Sequence, residues 1–600
     1  MRKIFVVAII TIGILIYQVM RGDPFDLLWA TYYGGSAEDN CDGQREIGAV
    51  CVDIHGNIYI TGFTKSTNFP VYNPGTGAYF QASNAGYADL FIVKFSPTGQ
   101  RLWATYYGGS NDDLGLAITT DNSGNVIVCG ITFSSNFPLY NPGGNAYYQG
   151  YTSGGDGFII KFDSLGQRLW ATCLGGSLSD AIYAVRAEAT GKFYVVGNTY
   201  SSNFPVYNPG GSAYYQASNA GSFDGFIAKF SETGERLWAT YYGGNDEDHI
   251  YGIALDNSGN FFATGMTRSS NFPVYNPGGN TYYQGTLAGY RNAFILKFSS
   301  AGQRLWATYY GGNTNDYGRG IAVSNNNEVF VVGNTSSANF PVYNPGGGYY
   351  FQGTLAGSDD AFILKFTETG ERLWATYYGG TYADFARSVA ITNQGTVLLT
   401  GNTLSNNFPT YNAGSGYFQG SITGGHEIFI LGLTELGQRL WATFYGGSGT
   451  DYGMSVATDN LNNIIVTGFT LSGNFPSYNP GGNSYYQGSN AGSYDAYILK
   501  FQGAAFSINE PAVSKNYSSV ISCNTFINKG LVIKLPSLNY NKVKLQILNP
   551  FGKVVFTKED ITSANITITA QELGSINPGV YLITIQTDGR TLGLKKIIKL

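Results

Sequence analysis

Seven aspartates each stand four residues after a Gly-Gly pair: Asp39, Asp113, Asp180, Asp248, Asp316, Asp384 and Asp451. A second acidic position recurs between them: Asp89, Asp156, Asp224, Asp360, Glu427 and Asp495, with Asn292 in one copy. Two sets of carboxylates on one face could hold cations such as Ca2+ through oxygen ligands. A pair at the right separation could also hydrolyse a glycosidic bond, but nothing in the sequence singles out one pair. The competing reading is structural. An Asp present in every copy accepts backbone N–H bonds and fixes a turn.

Every copy also contains Asn-Phe-Pro-x-Tyr-Asn, which supplies Tyr72, Tyr140, Tyr207, Tyr275, Tyr343, Tyr411 and Tyr478. An aromatic pair followed by glutamine comes after it, as in Tyr147-Tyr148-Gln149. Exposed tyrosines among amides suit a sugar or a protein partner, because aromatic faces stack and amides give directional bonds. The phenylalanine of the motif reads instead as a small second core over the blades. Catalysis finds little support. The three histidines, His55, His249 and His426, occupy unrelated places in their repeats. No serine lies in a Gly-x-Ser-x-Gly turn, and the glycine pairs open no helix that could cradle phosphate. The departures from repetition are an insertion at Cys41, Asn292 and the pair His426-Glu427, and they are scattered. A binding protein without catalytic residues is therefore expected. An extracellular polysaccharide-active enzyme and a structural surface-layer component are the alternatives.

The elements that must position these residues follow from the tryptophans. Trp29, Trp103, Trp170, Trp238, Trp306, Trp374 and Trp441 each open a Trp-Ala-Thr phrase, at spacings of 74, 67, 68, 68, 68 and 67 residues. Such a period marks a repeat array. Each repeat holds four short apolar runs and no helical periodicity, so the chain reads as an all-β, seven-bladed propeller of four-stranded blades. In the repeat from Trp238 to Trp306 the runs are the Trp phrase, Gly252–Asp256, Phe261–Gly265 and Ala293–Phe298. Small residues place the Gly-Ile-Ala run at the crowded axis, as strand a. The bulky Trp run goes to the rim, as strand d. The array starts with a d strand and stops after a c strand. The seventh blade must therefore combine residues 454–501 with the strand at Leu28–Gly34, and Trp29 should share a sheet with Tyr497. The aspartates then lie between strands d and a, and the tyrosine segments between b and c, all on one face of the ring.

Composition agrees. Among 600 residues there are 82 glycines and 47 tyrosines, and charged residues make up only 12%. A net charge of -5 gives no basic footprint for nucleic acid. Met1-Arg2-Lys3 followed by an apolar run to Ile16 matches a secretory signal peptide, residues 1–22, with no membrane span in the mature chain. The five cysteines fit no zinc spacing. Cys41–Cys51 is one disulfide an oxidising compartment would allow, and buried free thiols are the other reading.

The repeat resembles the bacterial SBBP β-propeller repeat family. The resemblance rests on Gly-Gly-Ser-x-x-Asp, Ile-Ala-x-Asp-x-x-Gly-Asn-x-x-Val-Thr-Gly, Asn-Phe-Pro and Asp-Ala-Phe-Ile-x-Lys-Phe, spread over residues 28–501. It implies a secreted or surface propeller, residues 23–501, and no single activity. After a linker at 502–515, residues 516–600 resemble the C-terminal sorting domain of type IX secretion in Bacteroidetes. The residues that carry this are Lys544–Val555, Asn577–Ile585 and Lys595–Leu600; the family's Pro-Asn-Pro is replaced by Cys523-Asn-Thr. This resemblance implies a small β-sandwich, the type IX machinery as a partner, and export to the outer surface or beyond. The expectation is a monomer that binds a glycan or protein through the tyrosine and aspartate loops.

Overall fold

Valines, isoleucines and aromatics dominate the strands, and glycines with Asx turns break them, so each repeat folds as an antiparallel sheet. The computed structural model describes residues 24–41, 48–75 and 77–503, and seven strands between residues 522 and 599. The expected signal segment and most of the expected linker lie outside the described residues. Among the described residues nine sheets are formed, seven of them the four-stranded blades of the propeller. In the fourth blade strand a is Asp248–Leu255, b is Phe261–Thr267, c is Asn292–Phe298 and d is Arg304–Tyr310. Strand a begins four residues earlier than its apolar run suggests. The register shifts between Ile250 and Gly252, a bulge that breaks the alternation and hides the strand's start. The a–b turn closes on Asp256, whose Oδ1 accepts the N–H of Ser258 and of Asn260, both at 2.9 Å.

Strands b and c of this blade are buried along their whole length, because blades cover one another on both faces. One cluster joins Tyr194, Val196 and Trp238 of the third blade to Ile250, Phe261 and Phe294 of the fourth. Each such aromatic or aliphatic side chain stabilises the stack by roughly 1.5–3 kcal/mol. Lysines of strand c tie the opposite face: Lys229 Nζ donates to the Ser300 carbonyl of the next blade at 3.0 Å and pairs with Glu188 at 2.7 Å.

The seventh blade closes as the strand phase requires. Its sheet runs Asp451–Thr458, Ile464–Thr470, Asp495–Phe501, then Leu27–Tyr33 from the other end of the array. Trp29 lies opposite Lys500, and Tyr32 opposite Tyr497. No covalent turn joins these two strands, so hydrogen bonds replace it. Phe25 N–H donates to Gln502 O at 2.9 Å, and Gln502 N–H donates to Asp26 O at 2.8 Å. In other blades a positive-φ glycine of the c–d turn packs on the tryptophan of the preceding blade, as Gly99 does on Trp29. Here Phe25 takes that place and stacks on Trp441 at 4.7 Å and 13°.

Cys41 and Cys51 are both buried, and they belong to different side-chain clusters. Cys41 packs with Tyr452 and Phe469, whereas Cys51 sits in a different cluster with Tyr59 and Trp103. The chain divides after Ala504 into a second unit, Ala505–Leu600. That unit contains a three-stranded sheet of Ser522–Cys523, Leu531–Lys534 and Asn565–Ile568. Its four-stranded sheet is ordered Val554–Ile561, Val543–Leu548, Gly579–Thr587, Arg590–Lys599.

Phe25 is buried and stands in for a missing turn, so Phe25→Ala should cost about 3 kcal/mol, the lower end for a buried Phe. Hydrogen exchange should show the loss concentrated in residues 27–33 and 495–501. Uniform loss of protection around the ring would contradict a local seam.

Candidate functional site

All seven repeat aspartates are fully buried. In the fourth blade Asp248 Oδ2 accepts Gly244 N–H at 2.6 Å and Ser269 Oγ–H at 2.8 Å, and it thereby holds the d–a turn. Its counterpart Asp224 accepts Ala220 N–H at 2.9 Å and Gln216 Nε2–H at 2.8 Å, which ends the b–c segment. The two carboxyls flank the first glycine of the Gly-Gly pair. A Cβ on Gly243 would lie 2.7 Å from Asp224 Oδ1 and 2.8 Å from Asp248 Oδ2, so no side chain fits there. Asp224 Oδ1 has no hydrogen-bond partner. The same pairing joins Asp89 to Asp113, Asp156 to Asp180, Asp360 to Asp384, Glu427 to Asp451 and Asp495 to Asp39, and Asn292 faces Asp316. Among the described residues no three His, Cys, Asp or Glu side chains converge as metal ligands.

The b–c segment starts on the face of the d–a turns but does not stay there. In the fourth blade residues 268–291 swing outward and lie along strand d. Tyr275 exchanges both backbone bonds with Ala307, and Tyr309 N–H reaches Gln284 O. The bare edge of the outer strand explains this course, because its N–H and C=O groups need partners. The tyrosines therefore lie at the rim rather than on the loop face. Tyr72, Tyr140, Tyr207, Tyr275, Tyr343, Tyr411 and Tyr478 are 42–47% exposed. Six of them face the arginine that opens strand d. Arg304 Cζ lies 5.5 Å from the Tyr275 ring and 4.9 Å from Tyr214 of the preceding blade, a clamp between blades. Tyr478 has no such arginine, because Leu27 stands there. The phenylalanines of the motif, Phe69 and its six equivalents, are buried.

A different set of departures from repetition is gathered at the mouth of the central channel. Strand a carries its bulge three residues after the aspartate in six blades, at Leu116, Tyr183, Tyr251, Arg319, Arg387 and Met454. Gly48 lines the same opening in the first blade. A bulge re-aims one side chain, here into the channel. These positions border a cavity of about 830 Å³, apolar at Leu114, Leu116 and Met454 and polar at His249, Arg319 and Arg387. Arg319 lies 4.8 Å from the Tyr251 ring and 4.7 Å from Tyr317. Tyr251 is braced by His249 at 5.7 Å and by Tyr183 at 5.4 Å. Burial lowers the His249 pKa to about 4, Arg319 and Arg291 oppose its protonation, and Glu247 partly offsets them. Its Nδ1 accepts the Asn198 amide N–H at 2.8 Å, which leaves Nε2 to carry the proton of the neutral ring. No one residue type recurs throughout this ring; its sequence signal is variation beside the constant aspartate.

Residues 237–273 and 305–341 match the SBBP beta-propeller repeat family, and residues 527–599 match a secretion system C-terminal sorting domain. The chain carries SBBP propeller repeats and a type IX sorting tail. Such a tail indicates export to the cell surface or extracellular space and contact with the type IX machinery. No helix among the described residues is long and apolar enough to cross a membrane. An uncharacterized WD repeat-containing protein of Acanthamoeba polyphaga mimivirus is 23% identical over 67% of this chain and 33% of its own length. The regulatory protein FlaEY of Caulobacter vibrioides is 23% identical over 29% of this chain and 18% of its own. The chain thus spans a third or less of these relatives. Among solved structures, the phage phi92 endosialidase aligns over 96% of this chain and 86% of its own, at 9% identity and a TM-score of 0.30. A Xanthomonas campestris gluconolactonase aligns over 57% and 78%, at 9% identity and 0.28. Likenesses this slight carry no functional argument.

The buried carboxyls of the propeller repeats make a pH test. Burial pushes Asp248 up to about 7 and Asp224 up to about 6, and Asp224's charge adds to the shift at Asp248. Glu427 and Asp89 rise to about 7 for the same first cause, each with a further push from its facing carboxyl. An unfolded Asp titrates near 3.9, so the folded state binds more protons from about pH 4 to 7. Their contribution is complete below about pH 4 and is lost as pH rises through 6–7. Calorimetry should find the propeller melting higher at pH 5 than at pH 8. Asp224→Asn, which copies the Asn292 arrangement, should flatten that fall; a steeper fall would contradict the pairing.

Proposed function

We propose that this chain is a secreted or surface-held propeller that binds a glycan or protein at its channel mouth and carries out no chemistry there. One observation supports the reading most. Seven near-equivalent blades differ at the bulge of strand a, and the aromatic and cationic variants fall on the adjacent third to sixth blades. A purely structural ring has no need to concentrate tyrosine and arginine on one side of its axis. Ligand pockets are cavities with apolar walls and a few convergent polar groups, and the mouth has that composition. The buried aspartates serve the turns, and the rim tyrosines serve the clamp between blades.

The test is a glycan array and a pull-down with the exported full-length protein. Tyr251→Ala should weaken retention of the ligand roughly tenfold or more, as loss of a central aromatic contact does. Tyr72→Ala, at the rim, should leave it unchanged. The reverse pattern would move the site to the rim. Turnover of a bound polysaccharide would overturn the non-catalytic part.

A further inference from the structure

Among the described residues Arg319 is a cation with no carboxylate partner. Its guanidinium sits between Tyr251 and Tyr317. Tyr317 is itself fixed, since its hydroxyl accepts a bond from Arg291 at 3.1 Å. The nearby acid is already engaged: Glu247 pairs with Arg268 at 3.0 Å and with Arg291 at 3.3 Å. Arg319 Nε is buried and has no hydrogen-bond partner, and no carboxylate pairs with the side chain among the described residues. A buried donor left unmet costs about 1–3 kcal/mol. Arg387 adds a second guanidinium from the next blade, with Nε directed to Asn402 Oδ1 at 3.3 Å.

We propose that the mouth binds an acidic saccharide, its carboxylate or sulfate on Arg319 and a sugar ring against Tyr251. This rests on the reading of the mouth as the ligand site. A planar guanidinium held between two rings is pre-oriented for two parallel bonds to a carboxylate or sulfate. An aromatic face beside it suits the C–H face of a pyranose, and the neutral His249 offers an Nε2–H donor for a hydroxyl. A uronic acid carries its carboxylate on the ring edge, so ring and charge can meet Tyr251 and Arg319 together. The cavity of about 830 Å³ has room for a short oligosaccharide rather than a single small anion.

The experiment is titration calorimetry of the full-length protein with defined probes. These are hexamers of galacturonate and guluronate, the methyl ester of the galacturonate hexamer, a sulfated galactan hexamer, cellohexaose, and a hexapeptide of glutamates. The repeat itself supplies a safe variant, Arg319→Met, because Met454 occupies the same position in the seventh blade. Its melting temperature should match wild type. At least one acidic hexasaccharide should bind, and Arg319→Met should weaken it about tenfold or more. The uronate and sulfate arms identify which anion is taken, and a bound galacturonate should lose about the same factor on esterification. Equal binding of cellohexaose, or an unchanged Arg319→Met, overturns the acidic requirement; if Tyr251→Ala still weakens binding, the mouth survives as the site. Binding of the glutamate peptide alone overturns the saccharide class. If no saccharide binds, the proposal fails, and if Tyr251→Ala also leaves array retention unchanged, the site assignment fails with it.

Discussion

The outer strand of each blade presents a row of backbone groups to solvent, and satisfying that edge shapes the rest of the repeat. A propeller closes its ring but leaves seven outer edges. Here each edge is covered by the blade's own b–c segment, paired at Tyr275–Ala307 in the fourth blade and at the equivalent pair in every other. The tryptophan locks the cover. Trp238 Nε1 donates to Tyr214 O at 2.9 Å, and the other six repeat the bond at 2.8–3.0 Å. Tyr214 N–H reaches on to Gly302 O in the next blade, so the cover of one edge also straps two blades together. Tryptophan, tyrosine and glutamine recur because one constraint recurs seven times.

The cover has to end where strand c begins, and this brings the second acidic position against the first. Gln216 shows the join. Its Nε2 donates to Asp224 at 2.8 Å, while its Oε1 accepts Gly243 N–H at 3.2 Å. The carboxyls then share a dry site beside a glycine that no side chain can replace. Two charged carboxylates in such a site repel, and one proton between them removes the repulsion. Asn292 fits this account, since an amide opposite Asp316 supplies permanently the neutral partner that a proton supplies elsewhere. The aspartates that look most like ligands in the sequence are thus explained by their own turns.

Much of this was legible in the sequence. The period exposed the blades, the size gradient ordered the strands, and the phase placed Trp29 beside the end of the array. The path of the b–c segment was not legible, because two isolated contacts to strand d separated by Pro and Gly residues leave no periodicity. The pairing of Asp224 with Asp248 was hidden for a similar reason: the contact depends on how residues 225–247 fold back. The bulge was the least legible feature. At Tyr251 it displaces one residue from the alternation, so the run His249–Tyr251 reads as loop, and the side chain aimed into the channel goes unnoticed.

In an array of near-identical blades, a residue present seven times answers a need that arises seven times. Edges, turns and interfaces are such needs. A channel mouth arises once, shared by all blades, so a ligand there can be met by different residues from each. The bulge of strand a is the position where both conditions hold. It points to the shared axis, and changing it disturbs neither the edge cover nor the d–a turn. Gly48, Leu116, Tyr183, Tyr251, Arg319, Arg387 and Met454 differ because the fold places little demand on them. On the proposed reading of the mouth, the clustering of two arginines beside two tyrosines on consecutive blades belongs to the site rather than to the scaffold.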